Sequence, residues 1–365
     1  MENKIKQISF DGQKIFIGID VHLKSWKVTI MLEETPFKTF SQDPCAGTLR
    51  KYLDKNFPNG NYYSAYEAGF CGFSVHRELS SFGINNIIVN PADIPTTDKE
   101  KKQKEDMRDS RKIARSLKNG DLKAIYIPNK DVEELRLLVR YRKTVVKEIS
   151  RHKTRIKAFL HCNGIKVPRE LDNASQYWSS NFTKWIKTIK LTTNYGHITI
   201  QNLLDTIEHF RKTLLNISKD LKKIIEKSNS FNEIVKNLQS IPGIGFVVAI
   251  TILTEIVDIK RFKNLDNLCS FIGFVPTTNS TSDKDNTGNI TKRSNKPLRD
   301  VLVESAWVAI RNDASMALAY SELCKRMKPT KAIIRIAKKL LNRIRFVLLN
   351  NEKYEYEKFE KRKCY

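Results

Sequence analysis

The sequence predicts an α/β N-terminal domain, a long helical coiled-coil-like spacer and a mostly α-helical C-terminal domain containing a helix-hairpin-helix. Three observations support this. Short apolar runs with β-branched residues occur in the first third, two long charged amphipathic stretches occupy the middle, and a Pro-Gly hairpin separates helical patterns in the last third. A chain of 365 residues has room for two or three domains. We place their boundaries at residues 1–128, 129–230 and 231–365.

Strand and helix patterns alternate in the N-terminal part. Ile15–Asp20 is an apolar run typical of a buried strand, and Trp26–Leu32 alternates as expected for an antiparallel neighbour. A third strand is predicted at Tyr62–Tyr66 and ends at Glu67. The remaining predicted elements are a helix at Phe73–Ser81, a strand at Ile84–Val89, a helix at Met107–Leu117 and a closing strand at Ala124–Ile127.

The middle and C-terminal parts have helical patterns. Asp131–His161 and Ile198–Ile225 carry apolar residues at helical spacing among many charges, which favours a coiled-coil-like spacer. Residues 162–197 between them give no clear prediction. After a helical pattern from Phe231, the sequence predicts helices at Phe246–Val257, Leu298–Arg311 and Thr330–Leu349 and a polar loop at Thr277–Asn289.

The charge of the chain indicates a polyanionic partner. The formal net charge is +25, and Lys and Arg neutralise the phosphates of nucleic acids. No run of about 18 apolar residues predicts a membrane span, the N-terminus does not resemble a signal peptide, and no CxxC pair suggests a zinc site. We therefore expect a nucleic-acid-binding protein of the cytoplasm, although a merely basic protein would have the same charge.

Four acids form the first candidate site. Asp20 and Glu67 end predicted strands, and Asp106 and Asp109 lie three residues apart on one face of a predicted helix. Carboxylates that converge in this way suit hard divalent cations, which assist phosphoryl transfer. Each acid alone is more readily explained as a helix cap or a surface charge, so the joint placement carries the hypothesis.

The second candidate site is the Ile241-Pro-Gly-Ile-Gly245 hairpin between two predicted helices. Gly243 and Gly245 permit a tight turn, and backbone amides at the following helix N-terminus can bind a DNA phosphate. A plain turn between packed helices is the alternative.

The third candidate site is the polar segment around Ser280. A serine hydroxyl near Lys292, Arg293 and Arg299 could attack a phosphate while the cations balance the developing charge. Polar loops of this composition are more often only solvated, so the residues alone favour catalysis weakly.

Together these segments resemble the IS110 family of insertion-sequence transposases. The N-terminal resemblance rests on Ile17-Gly-Ile-Asp20, Tyr66-Glu67-Ala68 and Glu105-Asp106-Met-Arg-Asp109. The C-terminal resemblance rests on Ser240–Gly245, Phe271–Pro276, Ser280, Ile290–Arg293 and Leu298-Arg299. Both sets occur in the family's order along the chain.

The resemblance implies an RNase H-like, RuvC-like domain in which Asp20, Glu67, Asp106 and Asp109 bind Mg²⁺, or Mn²⁺ in its place. It further implies that a serine attacks DNA to give a phosphoserine link. Counting from Lys292 assigns the family's nucleophile to Ser280, with Ser282 as the alternative.

The implied partners are donor and target DNA, a structured non-coding bridge RNA that guides the protein, and further copies of the chain in a dimer or tetramer. The expected location is the nucleoid of a bacterial or archaeal cytoplasm, without membrane association. Two other functions stay open. One is a RuvC-like nuclease or junction resolvase that uses only the acids, and the other is a basic scaffold without catalysis.

Overall fold

The computed structural model describes residues 9–33, 36–95, 106–281, 284–291 and 293–357. At residues 36, 106–107, 277–281 and 284–289 it describes the backbone. The chain divides into two compact units, Met1–Ile127 and Pro128–Tyr365. Within the described ranges, no helix is long and apolar enough to cross a membrane.

The first unit is built on a five-stranded mixed sheet, which confirms the predicted α/β character. The strands are β1 (Lys14–Val21), β2 (Trp26–Met31), β3 (Pro36–Gln42), β4 (Asn61–Glu67) and β5 (Asn85–Val89). Their order in the sheet is β3-β2-β1-β4-β5. β2 pairs antiparallel with both β1 and β3, whereas β4 pairs in parallel with both β1 and β5.

Helices cover both faces of this sheet. They are α1 (Ala46–Asn56), α2 (Ser74–Ser81) and α3 (Asp106–Lys118). One core joins Ile15, Ile17 and Ile19 of β1 to apolar residues of α1 and α2. A smaller cluster on the other face joins Ala65 of β4 to Ile113 of α3. Because residues alternate between the faces of a strand, odd positions of β1 face α1 and α2, and even positions face α3.

Three features of this unit differ from the prediction. β3 and α1 are absent from the prediction, although Ala46, Leu49 and Leu53 of α1 are fully buried at helical spacing. The closing strand predicted at Ala124–Ile127 is wrong, because Ala124 forms only an isolated antiparallel bridge with Val89.

The second unit is mostly helical, as predicted. Its helices are α4 (Lys130–Cys162), α5 (Ser180–Thr188), α6 (Asn194–Lys227), α7 (Asn229–Gln239), α8 (Phe246–Ile256), α9 (Leu265–Ile272), α10 (Lys296–Asn312), α11 (Ala314–Cys324) and α12 (Pro329–Asn350). Between α9 and α10 lies a hairpin of two antiparallel strands, β6 (Pro276–Thr281) and β7 (Lys284–Ile290).

The two long helices of this unit share a core with the C-terminal helices. α4 packs against both α6 and α8. One continuous cluster of buried side chains includes Leu135 of α4, Leu221 of α6, Ile250 of α8 and Leu340 of α12. α5 occupies part of residues 162–197, where no element is predicted, and α9 and α11 are further helices absent from the prediction.

Candidate active site

Asp20 and Glu67 lie at the same end of two neighbouring strands of the first sheet. β1 and β4 are parallel neighbours, and Ile19 is paired with Tyr66. The next residues along the two strands are Asp20 and Glu67. Adjacent strands are about 4.8 Å apart. Ile19 and Tyr66 point into the core beneath α1 and α2, so alternation directs the two carboxylates to the opposite face.

Helix α3 is docked on that same face by a close contact with Gly18. A Cβ added to Gly18 would lie 2.1 Å from the Ser110 carbonyl oxygen and 2.4 Å from the Ala114 nitrogen. The buried Ser110 hydroxyl also forms a 2.9 Å hydrogen bond with the Thr29 hydroxyl of β2. Only a residue without a side chain lets the helix backbone approach the strand this closely.

The docking of α3 places Asp109 on the face that carries Asp20. Asp109 precedes Ser110 in the helix, and Asp20 follows Gly18 by two residues on the strand. Asp106 is the first residue of α3, one turn before Ser110. The side chain of Asp106 lies outside what the structure describes.

Basic side chains pair with two of these acids. His22 Nε2 lies 2.9 Å from Asp20 Oδ2, and Lys112 Nζ donates to Asp109 Oδ1 over 3.3 Å. The Asp20 and Asp109 side chains are 23% and 32% exposed, so solvent reaches both carboxylates. His22 is not among the residues predicted from the sequence. Its signal was the two-residue spacing from Asp20, which puts residues on one face of extended chain.

The carboxylates suit a hard cation in their chemistry. Among the side chains that the structure describes, however, no three His, Cys, Asp or Glu residues are grouped closely enough to hold a metal ion. That set does not include the side chain of Asp106, the fourth predicted ligand.

The Pro-Gly hairpin connects α7 to α8, and its two glycines face different surroundings. Gly243 has a φ of 93°, and a Cβ there would lie 2.8 Å from the Ser305 carbonyl oxygen of α10. Gly243 therefore serves the packing of the turn on α10. Gly245 is exposed at the N-cap of α8, and a Cβ there would meet nothing within 4 Å.

The predicted polar loop at Thr277–Asn289 is wrong as a description of the backbone. Most of this segment forms the β6–β7 hairpin, in which Ser280 is paired with Asp285. Cross-strand hydrogen bonds satisfy backbone groups that a loop would leave to solvent. Ser280 therefore has a defined register position near the hairpin tip. Ser282 and Lys292 lie outside the described residues.

The two other predicted cations follow the hairpin. Arg293 is exposed. Arg299, in the first turns of α10, donates from Nη1 to the Thr291 carbonyl oxygen over 3.1 Å. The Arg299 side chain thus ties α10 to the chain that leaves the hairpin.

Two family models match the chain. Residues 17–162 match the DEDD domain model of IS110 transposases, and residues 235–321 match the model described as "Transposase IS116/IS110/IS902 family". The first match contains the strands and helix with the four acids. The second contains the Pro-Gly hairpin, the β6–β7 hairpin and Arg299.

Curated relatives agree with the models. The transposase of insertion sequence element IS1533 from Leptospira borgpetersenii is 24% identical over 247 residues, 67% of this chain and 70% of the relative. Two Sinorhizobium fredii proteins that also carry the name of transposase are similar. One, y4qE, is 28% identical over 301 residues, 81% of this chain and 72% of its own. The other, y4rJ, is 25% identical over 372 residues, 92% of this chain and 91% of its own.

Both models describe one family, and they match in the order in which the predicted motifs occur. The chain therefore belongs to the IS110 family of insertion-sequence transposases, which are enzymes that cut and recombine DNA.

Proposed function

We propose that this transposase is an RNA-guided recombinase that joins its own serine covalently to DNA and then transfers the DNA end to a new strand. The observation that carries the proposal is that acidic residues follow neighbouring strands at one end of the first sheet. Asp20 and Glu67 follow a paired position on parallel strands, and the helix that bears Asp109 is packed on the same face. This arrangement supports a RuvC-like, RNase H-like domain.

Asp20, Glu67, Asp106 and Asp109 would together hold Mg²⁺ or Mn²⁺. A divalent ion bound there would supply charge that offsets the developing negative charge of a phosphate in the transition state. His22 already contacts Asp20, and Lys112 already contacts Asp109. These two contacts would hold the carboxylates in orientation until a DNA phosphate arrives.

In the proposed reaction, the Ser280 hydroxyl oxygen attacks a DNA phosphorus atom. A serine–phosphate ester bond forms, one bridging P–O bond of the DNA breaks, and the departing strand end becomes a hydroxyl group. The hydroxyl of another strand then reverses the step and releases the serine. Each step exchanges one phosphate ester for another, so the reaction needs no separate energy source. Lys292, Arg293 and Arg299 would balance the charge on the phosphate.

The rest of the second unit would hold DNA and partner subunits. Gly245 is exposed at the N-terminus of α8, where backbone amides can bind a phosphate in the manner of a helix-hairpin-helix. Leu137 and Leu215 on the long helices α4 and α6 are exposed, at 59% and 62%. Exposed apolar side chains on two packed helices support a coiled-coil-like contact between protomers in a dimer or tetramer.

A guide RNA fits the charge of the protein. A formal net charge of +25 suits two phosphate polymers, DNA and RNA, recognised through their backbones. Base pairing between the RNA and the DNA would then select the sites to be recombined, because backbone contacts carry no sequence information.

The proposed acid site is tested by replacing Asp20 or Glu67 with alanine. We expect cleavage and recombination to be lost while binding of DNA and RNA persists, because the acids act on the reacting phosphate and not on the charge-driven contacts. The matched control is Asp54→Ala, which removes an exposed acid of the same unit that forms an ion pair with Arg50 one turn away. Recombination by Asp20→Ala at the wild-type rate would refute the proposed site.

A further inference from the structure

A buried carboxylate lies at the end of α8. The Glu255 side chain is only 2% exposed. Arg140 of α4 donates to both of its oxygens, from Nε over 2.7 Å and from Nη2 over 2.8 Å. Asn295 Nδ2 donates to Glu255 Oε2 over 2.8 Å. Three segments far apart in sequence therefore meet at one carboxylate.

Glu255 is ionised in this environment. Burial raises the pKa of its carboxyl, but hydrogen bonds from Arg140 and Asn295, with the charge of Arg140, outweigh burial and lower the pKa below its usual value. A buried carboxylate that loses such partners is costly, because its charge is left uncompensated. The three side chains therefore act as one unit.

Asn295 makes three hydrogen bonds that fix the chain between the β6–β7 hairpin and α10. Its side-chain oxygen accepts from Leu298 N and caps α10, its Nδ2 donates to Glu255, and its backbone N donates to the Phe271 carbonyl oxygen over 3.0 Å. No rotation of Asn295 would preserve all three bonds.

The base of the hairpin is held on both strands. Thr291 N donates to the Val275 carbonyl oxygen over 3.0 Å, directly beyond the Pro276–Ile290 pair. On the other side, a Cβ added to Gly273, which has a φ of 86°, would lie 2.3 Å from Ser294 Cβ. Arg293 and Ser294 are thus packed tightly against the end of α9.

We infer that Arg140, Glu255 and Asn295 form a positioning network that holds the β6–β7 hairpin in place and so sets the location of Ser280. The inference rests on the proposed role of Ser280. The hairpin begins at Pro276 and ends at Ile290. Asn295, which follows the hairpin, is hydrogen-bonded to Glu255 of α8, and Glu255 is hydrogen-bonded to Arg140 of α4. Lys143 of α4 adds a second tie, a 2.8 Å ion pair with Asp300 of α10.

Through this network, the long helix α4 is connected to the β6–β7 hairpin, which carries Ser280. Arg140 and Lys143 lie about one turn apart on α4. Arg140 binds the Glu255 carboxylate, which accepts from Asn295, and Lys143 binds Asp300 near the start of α10. A displacement of α4, such as one produced by a partner subunit on its exposed face, would be transmitted to the hairpin exit.

The test uses two variants of the full-length protein. Glu255→Gln keeps the shape of the side chain but loses the charge and one of the acceptor oxygens. Asn295→Ser keeps a good N-cap for α10 but is too short to reach Glu255. The control is Asp313→Asn, which makes the same carboxylate-to-amide change in another buried ion pair of this unit, that of Asp313 with Arg343.

The readouts are the rate of covalent protein–DNA adduct formation at saturating DNA, the Kd for DNA, and hydrogen exchange of peptides covering residues 276–295. For Glu255→Gln and Asn295→Ser we expect adduct formation to slow by about ten- to a hundredfold, the effect of a reacting group displaced by about 1 Å. The Kd should stay within about twofold, and exchange at the hairpin base should quicken. Asp313→Asn should lower the melting temperature without slowing the adduct.

Two results would overturn the positioning role. One is a wild-type adduct rate in both network variants. The other is an equal slowing in Asp313→Asn, which would show that the network affects the rate only through the overall stability of the protein. If Glu255→Gln does not fold, Asn295→Ser decides. A wild-type protein that forms no adduct would instead refute the serine mechanism itself, so the two failures are distinguishable.

Discussion

Gly18 controls the approach of helix α3 to strand β1. Its absent side chain leaves room for the backbone at Ser110 and Ala114, so Asp109 comes to the face that carries Asp20. Gly18 is also one of the residues of the family resemblance, between Ile17 and Asp20. Its contact gives a physical reason for a glycine at this point of the motif.

Replacing Gly18 with alanine should therefore separate the helix from the sheet. The new Cβ would lie 2.1 Å from a backbone oxygen that cannot rotate away. Overpacking of this kind costs about 1–3 kcal/mol, and we expect that loss in the free energy of unfolding, measured by urea denaturation, together with loss of DNA cleavage.

The control is Gly69→Ala, whose Cβ would meet only the Glu67 carbonyl oxygen at 3.8 Å. It should change the free energy of unfolding by less than about 0.5 kcal/mol, as most changes outside tight contacts do. Equal stability of the Gly18 and Gly69 variants would mean that α3 does not depend on the close approach at Gly18.

Among the elements, the sequence predicted those whose hydrophobic pattern is decisive. β1 is an apolar run with β-branched residues at alternate positions, and α4 repeats apolar residues over many turns, so neither allows another assignment. β3 and α1 were missed because their patterns are short and diluted by polar residues. The β6–β7 hairpin was predicted as a loop because its stability comes from backbone pairing between polar residues, which leaves no hydrophobic alternation to detect.

The candidate site was predictable to a similar degree. The four acids are predicted from their places at strand ends and on one helix face, and Ser280 is assigned through the family resemblance. The contacts around them depend on which elements become neighbours, so no local pattern indicated them. Glu255 illustrates this, because its partners Arg140 and Asn295 are 115 and 40 residues away in sequence. His22 is the exception, since it lies only two residues after Asp20.

Two buried ion pairs between helices should make the stability of the second unit depend on pH. Burial raises the pKa of Asp313, but hydrogen bonds from Arg343, Ser315 and Met316 N outweigh it and lower the pKa below its usual value, as for Glu255. A carboxyl with a lower pKa in the folded state stabilises that state fully above its unfolded pKa of about 4. The contribution disappears as the pH falls through the folded pKa.

We therefore expect Asp313→Asn to be less stable than the wild type at pH 7, with the difference shrinking as the pH falls below about 4. Urea denaturation from pH 7 down to pH 3 measures this difference. A difference that stays constant with pH would show that ionisation of Asp313 contributes nothing to folding, and that the substitution acts only through its shape.

For the molecule as a whole, the net charge of +25 predicts nucleic-acid binding that depends steeply on salt. A protein that contacts six to ten phosphates loses about a thousandfold or more in affinity between 50 and 200 mM salt. We expect such a loss for both DNA and RNA by fluorescence anisotropy. Asp20→Ala should show the same slope, because that residue makes no counter-ion-releasing contact. Binding that is insensitive to salt would contradict recognition through the phosphate backbone.

The proposed serine mechanism would pass through a covalent protein–DNA intermediate. The decisive measurement is mass spectrometry of the protein after reaction with its DNA, digestion of the adduct, and mapping of the modified residue. We expect a nucleotide phosphate on Ser280, its loss in Ser280→Ala, and its retention in Ser282→Ala. A phosphate on Ser282 would move the nucleophile by two residues. Recombination products formed without any protein–DNA adduct would contradict the serine mechanism and leave the acids as the whole of the catalytic site.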